Sequence, residues 1–488
     1  MRIFLLCLLP GILLLASCPP LWNGIDAALY IICSPLQMYP HWPPLYPMFV
    51  GSVFKIGAIL EQQSLSLSEP IKHFTDIALY TVVIVQHLLL AGGICFFLNS
   101  LPLTPRRRLY LTVLLIAISA PLYFHTHGVY SESLAIVFLF FMLGIVLRIS
   151  ENPGDKTLYT GYAAATLAMA FSRHPVVVCI PFLALFSLLS RRSPGTRPAL
   201  CVGVSGAVCV LYFFLNFAFC KISGGPCVSS IGLGPAHRWI LMGRENNGAD
   251  REYLVSRLTK ATDDPSLQKI IPLAFSAHDP WDDLLKGVAA TLPAEQRNNA
   301  QAESQKLVNK LFRLYLFHPD WLLVSYIGGD AKTYLLSSHF SKLESPVSWM
   351  AKLIDWYPKS DFAPWYASLV EISPQTSEQI ARFSSVAWKI LAYSHFLSDG
   401  LLALLTSVLI WFGRGRDTSV RLCSFALSAL AVALIHLLIV SIIIPYDVRY
   451  GLPHGALINA GFIAALANFF AAGSVRKSAS SLSAAEYL

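Results

Sequence analysis

The sequence predicts an all-α polytopic membrane protein with about ten transmembrane helices and a large, mainly helical extracytoplasmic loop. Three observations carry this: the composition, the spacing of long apolar runs, and the distribution of Lys and Arg between them. Of 488 residues 55% are hydrophobic and only 13% charged, with a mean hydropathy of +0.57. Soluble domains hold about 25% charged residues, so a soluble enzyme, a disordered chain and a free nucleic-acid binder are excluded. The formal charge of +8 therefore reports orientation in a bilayer rather than an anionic partner in solution.

A bilayer core about 30 Å thick takes about 20 mostly apolar residues per helix. Runs that meet or approach this lie at roughly 3–21, 76–99, 109–125, 132–149, 158–173, 175–190, 199–220, 394–412, 422–444 and 453–472. Every second connection is basic: Arg2, then Arg106, Arg107 and Arg108, then Arg148 and Lys156, then Arg191, Arg192 and Arg197, then Arg414, Arg416 and Arg421, then Arg476 and Lys477. The opposite short connections hold only Arg173 and Arg449. By the positive-inside rule both termini face the cytoplasm.

The chain thus divides into an N-terminal transmembrane module (1–220) with a first outer loop (22–75), an outer loop domain (221–390), C-terminal transmembrane helices (391–475) and a Ser/Ala-rich, disordered cytoplasmic tail (476–488). The outer loop domain is far more polar than its surroundings, with helical patterns at 250–255 and 302–308. Its aromatic stretch Leu311 to Leu336 lies on the membrane surface or in the loop's own core. The Leu15-Ala16-Ser17-Cys18 run looks like a lipoprotein cleavage box, but Pro19 and Pro20 disfavour processing and the further spans make a lipid anchor redundant. Cys95, Cys179, Cys209 and Cys423 sit in apolar runs as small hydrophobes, while Cys220 and Cys227 flank a Gly-Gly-Pro turn and could close a small disulfide loop.

The residues that could carry chemistry stand at the outer ends of spans, where ionisable groups are costly to keep. Asp26 is the first carboxylate of the first outer loop. It suits either a helix cap or a general base held near the membrane surface. Tyr39 to Pro47, containing His41 and Tyr46, is an aromatic, proline-rich turn into a helix too short to cross. In the turn Phe124 to Ser133, His125 and His127 could share a ligand only in an extended segment, and Glu132 sits at a helix N-terminus, where Ser131 or Ser133 could cap and the dipole favours an acid, a capping role for this start. Arg173, followed by His174 and Pro175, is either an interfacial anchor or a phosphate-binding guanidinium. Arg449 is a local partner of Asp447, an interfacial anchor alongside Tyr446 and Tyr450, or a second phosphate ligand. No nucleotide-binding loop, zinc signature or hydrolase nucleophile turn is present.

Taken in order, Pro43-Pro44-Leu45-Tyr46-Pro47, Tyr130-Ser131-Glu132-Ser133-Leu134, Ser172-Arg173-His174-Pro175 and Arg449-Tyr450-Gly451-Leu452-Pro453 resemble the GT-C superfamily of integral-membrane glycosyltransferases. The likeness is to the polyprenyl- or dolichyl-phosphate-sugar-dependent mannosyltransferases and their bacterial relatives, and it covers roughly 1–220 and 390–475. Two departures stand out: Asp26 is single where many relatives carry adjacent acids, and 221–390 matches no named domain.

The resemblance implies a GT-C-like fold and an inverting transfer of sugar from a polyprenyl-phosphate donor to an acceptor hydroxyl on the outer face. It implies Asp26 as the catalytic base, and Arg173, Arg449 and His174 as the binders of the donor phosphate. His41, Tyr46, His127 and Glu132 are then the candidate lining of the substrate pocket. No cofactor is expected, although some relatives use a divalent metal. The expected partners are the lipid-phosphate sugar, a glycan, lipid or protein acceptor, and the bilayer, with no nucleic acid. The absence of Asn-x-Ser/Thr in the long outer loop favours a bacterial inner membrane with the site on its periplasmic face. An O-antigen-type polymerase or ligase would keep its basic residues within the large loops. A transporter would show mid-span charge, here confined to the region of Asp399 and a few His. A noncatalytic scaffold of the same build is the third alternative.

Overall fold

The computed structural model describes residues 1–18, 20, 43–60, 76–191, 197–222, 233–244, 249–278, 283–318, 320–337, 397–413, 417–443 and 447–485, with isolated positions between 378 and 389. Asp26, His41 and the Cys227 half of the expected disulfide loop lie outside these residues. The described chain is built of α- and 3-10 helices with no strand. The N-terminal helices are α1 (Arg2–Ser17), α2 (Leu45–Leu60), α3 (Asp76–Asn99), α4 (Pro105–Ile118), α5 (Ala120–Thr126), α6 (Ser131–Glu151), α7 (Lys156–Ser172), α8 (Phe182–Leu189) and α9 (Pro198–Ile222). The middle of the chain forms α10 (Leu233–Arg244), α11 (Ala249–Lys260), α12 (Pro265–Ser276), α13 (Asp283–Thr291), α14 (Ala300–Phe317) and α15 (Trp321–Leu336). Three helices close the fold: α16 (Asp399–Gly413), α17 (Asp417–Ile443) and α18 (Leu452–Ala485). The end of α18 runs into the segment read from sequence as a tail.

Five helical stretches are long and apolar enough to cross a membrane: Ile77–Asn99, Ser131–Glu151, Pro198–Phe219, Val420–Ile443 and Arg449–Phe470. The bent pair α4 and α5 makes a sixth if it is one span. The chain is a multi-pass membrane protein, but the expected count of ten is not reached among the described residues. The apolar runs near 3–21, 158–173, 175–190 and 394–412 become helices of at most 17 residues, and the middle two are separated by their own sequence. Arg173 ends α7 in extended backbone and Pro175 opens a 3-10 segment, His174–Cys179, before α8. α1 stops at Ser17, and α16 has 15 residues.

The bend of 63° between α4 and α5 follows from Pro121, which has no N–H to continue the ladder and whose ring crowds the preceding turn. Such a break needs its backbone groups satisfied in an apolar setting. Asn459 of α18 supplies the donor: its Nδ2 lies 3.2 Å from the Ile118 carbonyl and 3.4 Å from Ser119 Oγ. At the other end, Arg108 gathers Asn99 Oδ1 (3.2 Å) and the Leu101 and Leu103 carbonyls (3.4 and 3.1 Å), stitching α3 to α4.

One apolar core, including Leu90, Phe97, Phe140, Leu143, Phe182, Phe425 and Leu457, unites α3, α6, α8, α17 and α18. Small residues set the spacing: a Cβ on Gly57 of α2 would stand 2.5 Å from the Ala78 Cα of α3, so only glycine lets these backbones touch. Large apolar side chains face outward along α9, with Val210, Phe213 and Phe214 exposed, as a lipid-facing surface requires. The helices α10–α15 bury a second core around Trp239, Ile271, Phe275, Leu311 and Tyr315.

Candidate active site

The site forms at the bundle end that carries the expected outer loops, where the ends of α6, α7 and α15 meet the turn before α18. Arg173 caps the C-terminal end of α7, its N–H bonded to the Met169 carbonyl and its backbone extended. The side chain crosses to the first turn of α6. Nη2 lies 2.9 Å from Glu132 Oε1, and Nη1 donates to Ser131 Oγ at 3.0 Å. Ser131 in turn donates to Glu132 Oε2 at 3.2 Å. Relative side-chain exposure is 13% for Arg173 and 2% for Glu132, so this is a nearly dry ion pair. Glu132 was expected to cap α6; no side chain bonds the cap of that helix. The carboxylate gains more from a guanidinium at 2.9 Å than from the helix dipole, which is worth at most about 2 kcal/mol.

Arg449 belongs to a 3-10 turn, Val448–Gly451, whose cap is Asp447. Asp447 Oδ1 accepts from the Arg449 backbone N–H at 3.0 Å, and Oδ2 accepts from Arg449 Nε, also at 3.0 Å. Of the alternatives read for Arg449, the local pair with Asp447 is formed. Burial pushes the Asp447 carboxyl up, but Arg449 beside it, two hydrogen bonds from that residue and the charge of Arg173 outweigh this and hold it below the usual aspartate range. Between the two arginines stands Tyr450. The guanidinium carbon of Arg173 is 4.7 Å and that of Arg449 5.6 Å from the centre of its ring, both within cation–π range. Two arginines, 276 positions apart in the sequence, thus share one aromatic ring, each steered by its own carboxylate.

The other predicted site residues take different positions. His174 turns Nδ1 to the Tyr212 hydroxyl of α9, 2.6 Å away. His127 is fully buried: Nε2 lies 2.9 Å from the Cys18 carbonyl and Nδ1 3.2 Å from His87 Nε2. A carbonyl only accepts, so His127 Nε2 carries the proton and a neutral His127 accepts from His87 at Nδ1. Tyr46 is also buried and donates to Gln86 Oε1 at 2.9 Å, while Gln86 Nε2 donates to the Thr126 and Gly128 carbonyls, both at 2.9 Å. Tyr46 and His127 therefore tie α1, α2 and α3 to the turn ahead of α6. His125 and His127 were expected to share a ligand only if extended. Instead the segment is helical to Thr126, and the ring of His125 packs edge-on to Tyr130 at 5.1 Å. Among the described residues no three His, Cys, Asp or Glu side chains come together in a way that could hold a metal ion.

The sequence matches no family model and no curated protein sequence. Solved structures of ArnT from Cupriavidus metallidurans do align with it. The crystal structure bound to undecaprenyl phosphate is 13% identical, with a TM-score of 0.33 over 96% of this chain and 76% of that one. The apo crystal structure gives 13% identity and a TM-score of 0.31 over 93% of this chain and 74% of that one. At such scores the chemistry rests on this chain's own residues.

Three neighbours of these charged groups escaped the sequence reading. Tyr450 was read as an interfacial anchor. Ser131 was read as part of a helix start. Tyr334 of α15, inside the aromatic stretch Leu311 to Leu336, reaches Asp447. A fourth feature, Asp399, was noted as unusual charge near a span: it is buried at the start of α16, with Oδ2 3.5 Å from His454 Nε2. Only Tyr450 carried a signal in the sequence, its place next to Arg449.

Proposed function

We propose that the protein is a GT-C-type membrane glycosyltransferase that moves a sugar from a polyprenyl-phosphate donor to an acceptor hydroxyl at the outer membrane surface, a bacterial periplasmic face. The observation that carries the reading is the meeting of Arg173 and Arg449 on Tyr450. A phosphate monoester anion leaving an anomeric carbon needs charge-assisted donors from more than one direction, fixed before the charge develops. Glu132 and Asp447 hold the guanidinium groups in place, so little reorganisation accompanies the reaction.

The bond changes balance without a cofactor. Asp26 takes the proton of the acceptor hydroxyl as its oxygen attacks the anomeric carbon. The bond from that carbon to the lipid phosphate oxygen breaks, the configuration inverts, and the polyprenyl phosphate leaves against Arg173 and Arg449. Pocket roles for His41, Tyr46, His127 and Glu132 belong to the same proposal, with Glu132 acting through Arg173 and with Tyr46 and His127 shaping the turn behind it.

The test is direct. Full-length protein in nanodiscs is titrated with undecaprenyl phosphate, and donor turnover is followed with radiolabelled polyprenyl-phosphate sugars. The wild type should bind; Arg449→Ala and Arg173→Ala should weaken binding by about ten-fold or more each; Asp26→Asn should bind without turnover. Binding that is absent, or unchanged in both arginine variants, refutes the proposal.

A further inference from the structure

The helix α15 of the outer domain ends against the phosphate cradle. Tyr334, 3% exposed, donates its hydroxyl to the Asp447 carbonyl at 3.0 Å and accepts from the Asp447 N–H at 3.1 Å. One side-chain hydroxyl thus bonds both backbone polar groups of the residue that orients Arg449, the carbonyl also accepting from the Tyr450 N–H at 3.0 Å. The ring is fixed as well. It packs with Leu437 and Val440 of α17 and stands perpendicular to His454 of α18 at 5.3 Å, while His454 faces Asp399. The approach of α15 is close: a Cβ on Gly400 of α16 would meet the Leu335 carbonyl oxygen at 2.9 Å, so a side chain there would push α15 away. One turn earlier on the same helix, Asp330 pairs with the buried Arg238 of α10 at 2.6 Å. The end of α15 is therefore bonded on one side to the interior of the outer domain and on the other to the Asp447–Arg449 turn.

We infer that Tyr334 is a positioning residue that sets Arg449 for the lipid phosphate, making the placement of the outer domain through Arg238, Asp330 and α15 a determinant of donor binding. The inference rests on the phosphate-binding reading of Arg449. Removing the hydroxyl takes away the partner of the Asp447 N–H, while the Asp447 carbonyl keeps the Tyr450 N–H at 3.0 Å, so the carboxylate that aims Arg449 loosens while the aromatic packing stays.

The experiment is a double-mutant cycle on undecaprenyl phosphate binding to the full chain in nanodiscs, with melting temperatures measured alongside. Tyr334→Phe should weaken binding about five-fold while changing the melting temperature little. In an Arg449→Ala background the same change should cost less than about two-fold, because a residue acting through Arg449 has nothing left to act on. An equal loss in both backgrounds, or none in either, overturns the inference while leaving the function proposal standing, provided Arg449→Ala alone weakens binding. If the wild type binds no polyprenyl phosphate, both fail together. Should Tyr334→Phe not fold, Asp330→Asn reads the same linkage one turn away. It should weaken binding in the wild-type background only, and an effect that persists without Arg449 overturns the inference.

Discussion

Glu132→Gln isolates the ion pair that anchors Arg173. At an effective dielectric of about 20, unit charges 2.9 Å apart attract by roughly 6 kcal/mol, and desolvation of both groups cancels a large part of it. The substitution keeps the shape and a hydrogen-bonding oxygen but removes the carboxylate charge 2.9 Å from a guanidinium that is 13% exposed. Breaking a buried pair in this way costs about 3–5 kcal/mol; the remaining exposure and the Ser131 bond bring the expectation to about 2–4 kcal/mol. Thermal unfolding in nanodiscs should show Glu132→Gln melting several degrees below wild type. Glu132→Gln combined with Arg173→Gln should recover much of that loss, since no buried charge is then uncompensated. Losses that simply add, or a single variant that melts like wild type, would refute the view of Glu132 and Arg173 as a nearly dry, mutually dependent pair. Donor binding should be lost in the double variant even as stability returns, separating the structural role of the pair from the ligand role of Arg173.

Other outcomes follow from the same geometry. The Asp447 carboxyl is held below its ordinary range by Arg449, so its contribution is complete above the unfolded value of about 3.9 and is lost as pH falls through the lower native value. Melting temperature measured from pH 7 downward should include an acid limb below about pH 4 that Asp447→Asn flattens. The effect is small because the side chain is 34% exposed and solvent screens the pair. Gly57→Ala should destabilise by about 1–3 kcal/mol, because its Cβ would stand 2.5 Å from the Ala78 backbone; a melting temperature equal to wild type would show that α2 can move away from α3 freely. Asn459→Leu should cost about 1–3 kcal/mol by removing the Asn459 bonds to the Ile118 carbonyl and Ser119 Oγ at the bend, again read by thermal unfolding.

Composition alone determined the membrane class, because an apolar run of span length has no other stable home, and the helix content followed since backbone groups in lipid must be bonded within their own segment. The charge pattern singled out Arg173 and Arg449, since a cation away from the basic side is costly enough to stand out. Span number was less legible. Whether an apolar run becomes one straight helix depends on local breaks such as Pro121 and Pro175, and on whether a distant residue such as Asn459 heals them. The local pair of Asp447 and Arg449 was legible, but partnerships between distant residues were not, for the same reason. Glu132 reads as a cap in its own helix, and only the crossing of α7 over α6 hands it to Arg173. Tyr450 reads as an anchor until two guanidinium groups converge on its ring. Tyr334 has no local sign of its tie to Asp447, 113 positions further on. Sequence sets what each residue can bond; the packing of helices far apart in the chain decides which bond is made, because those bonds act over a few ångströms that only the folded chain brings about.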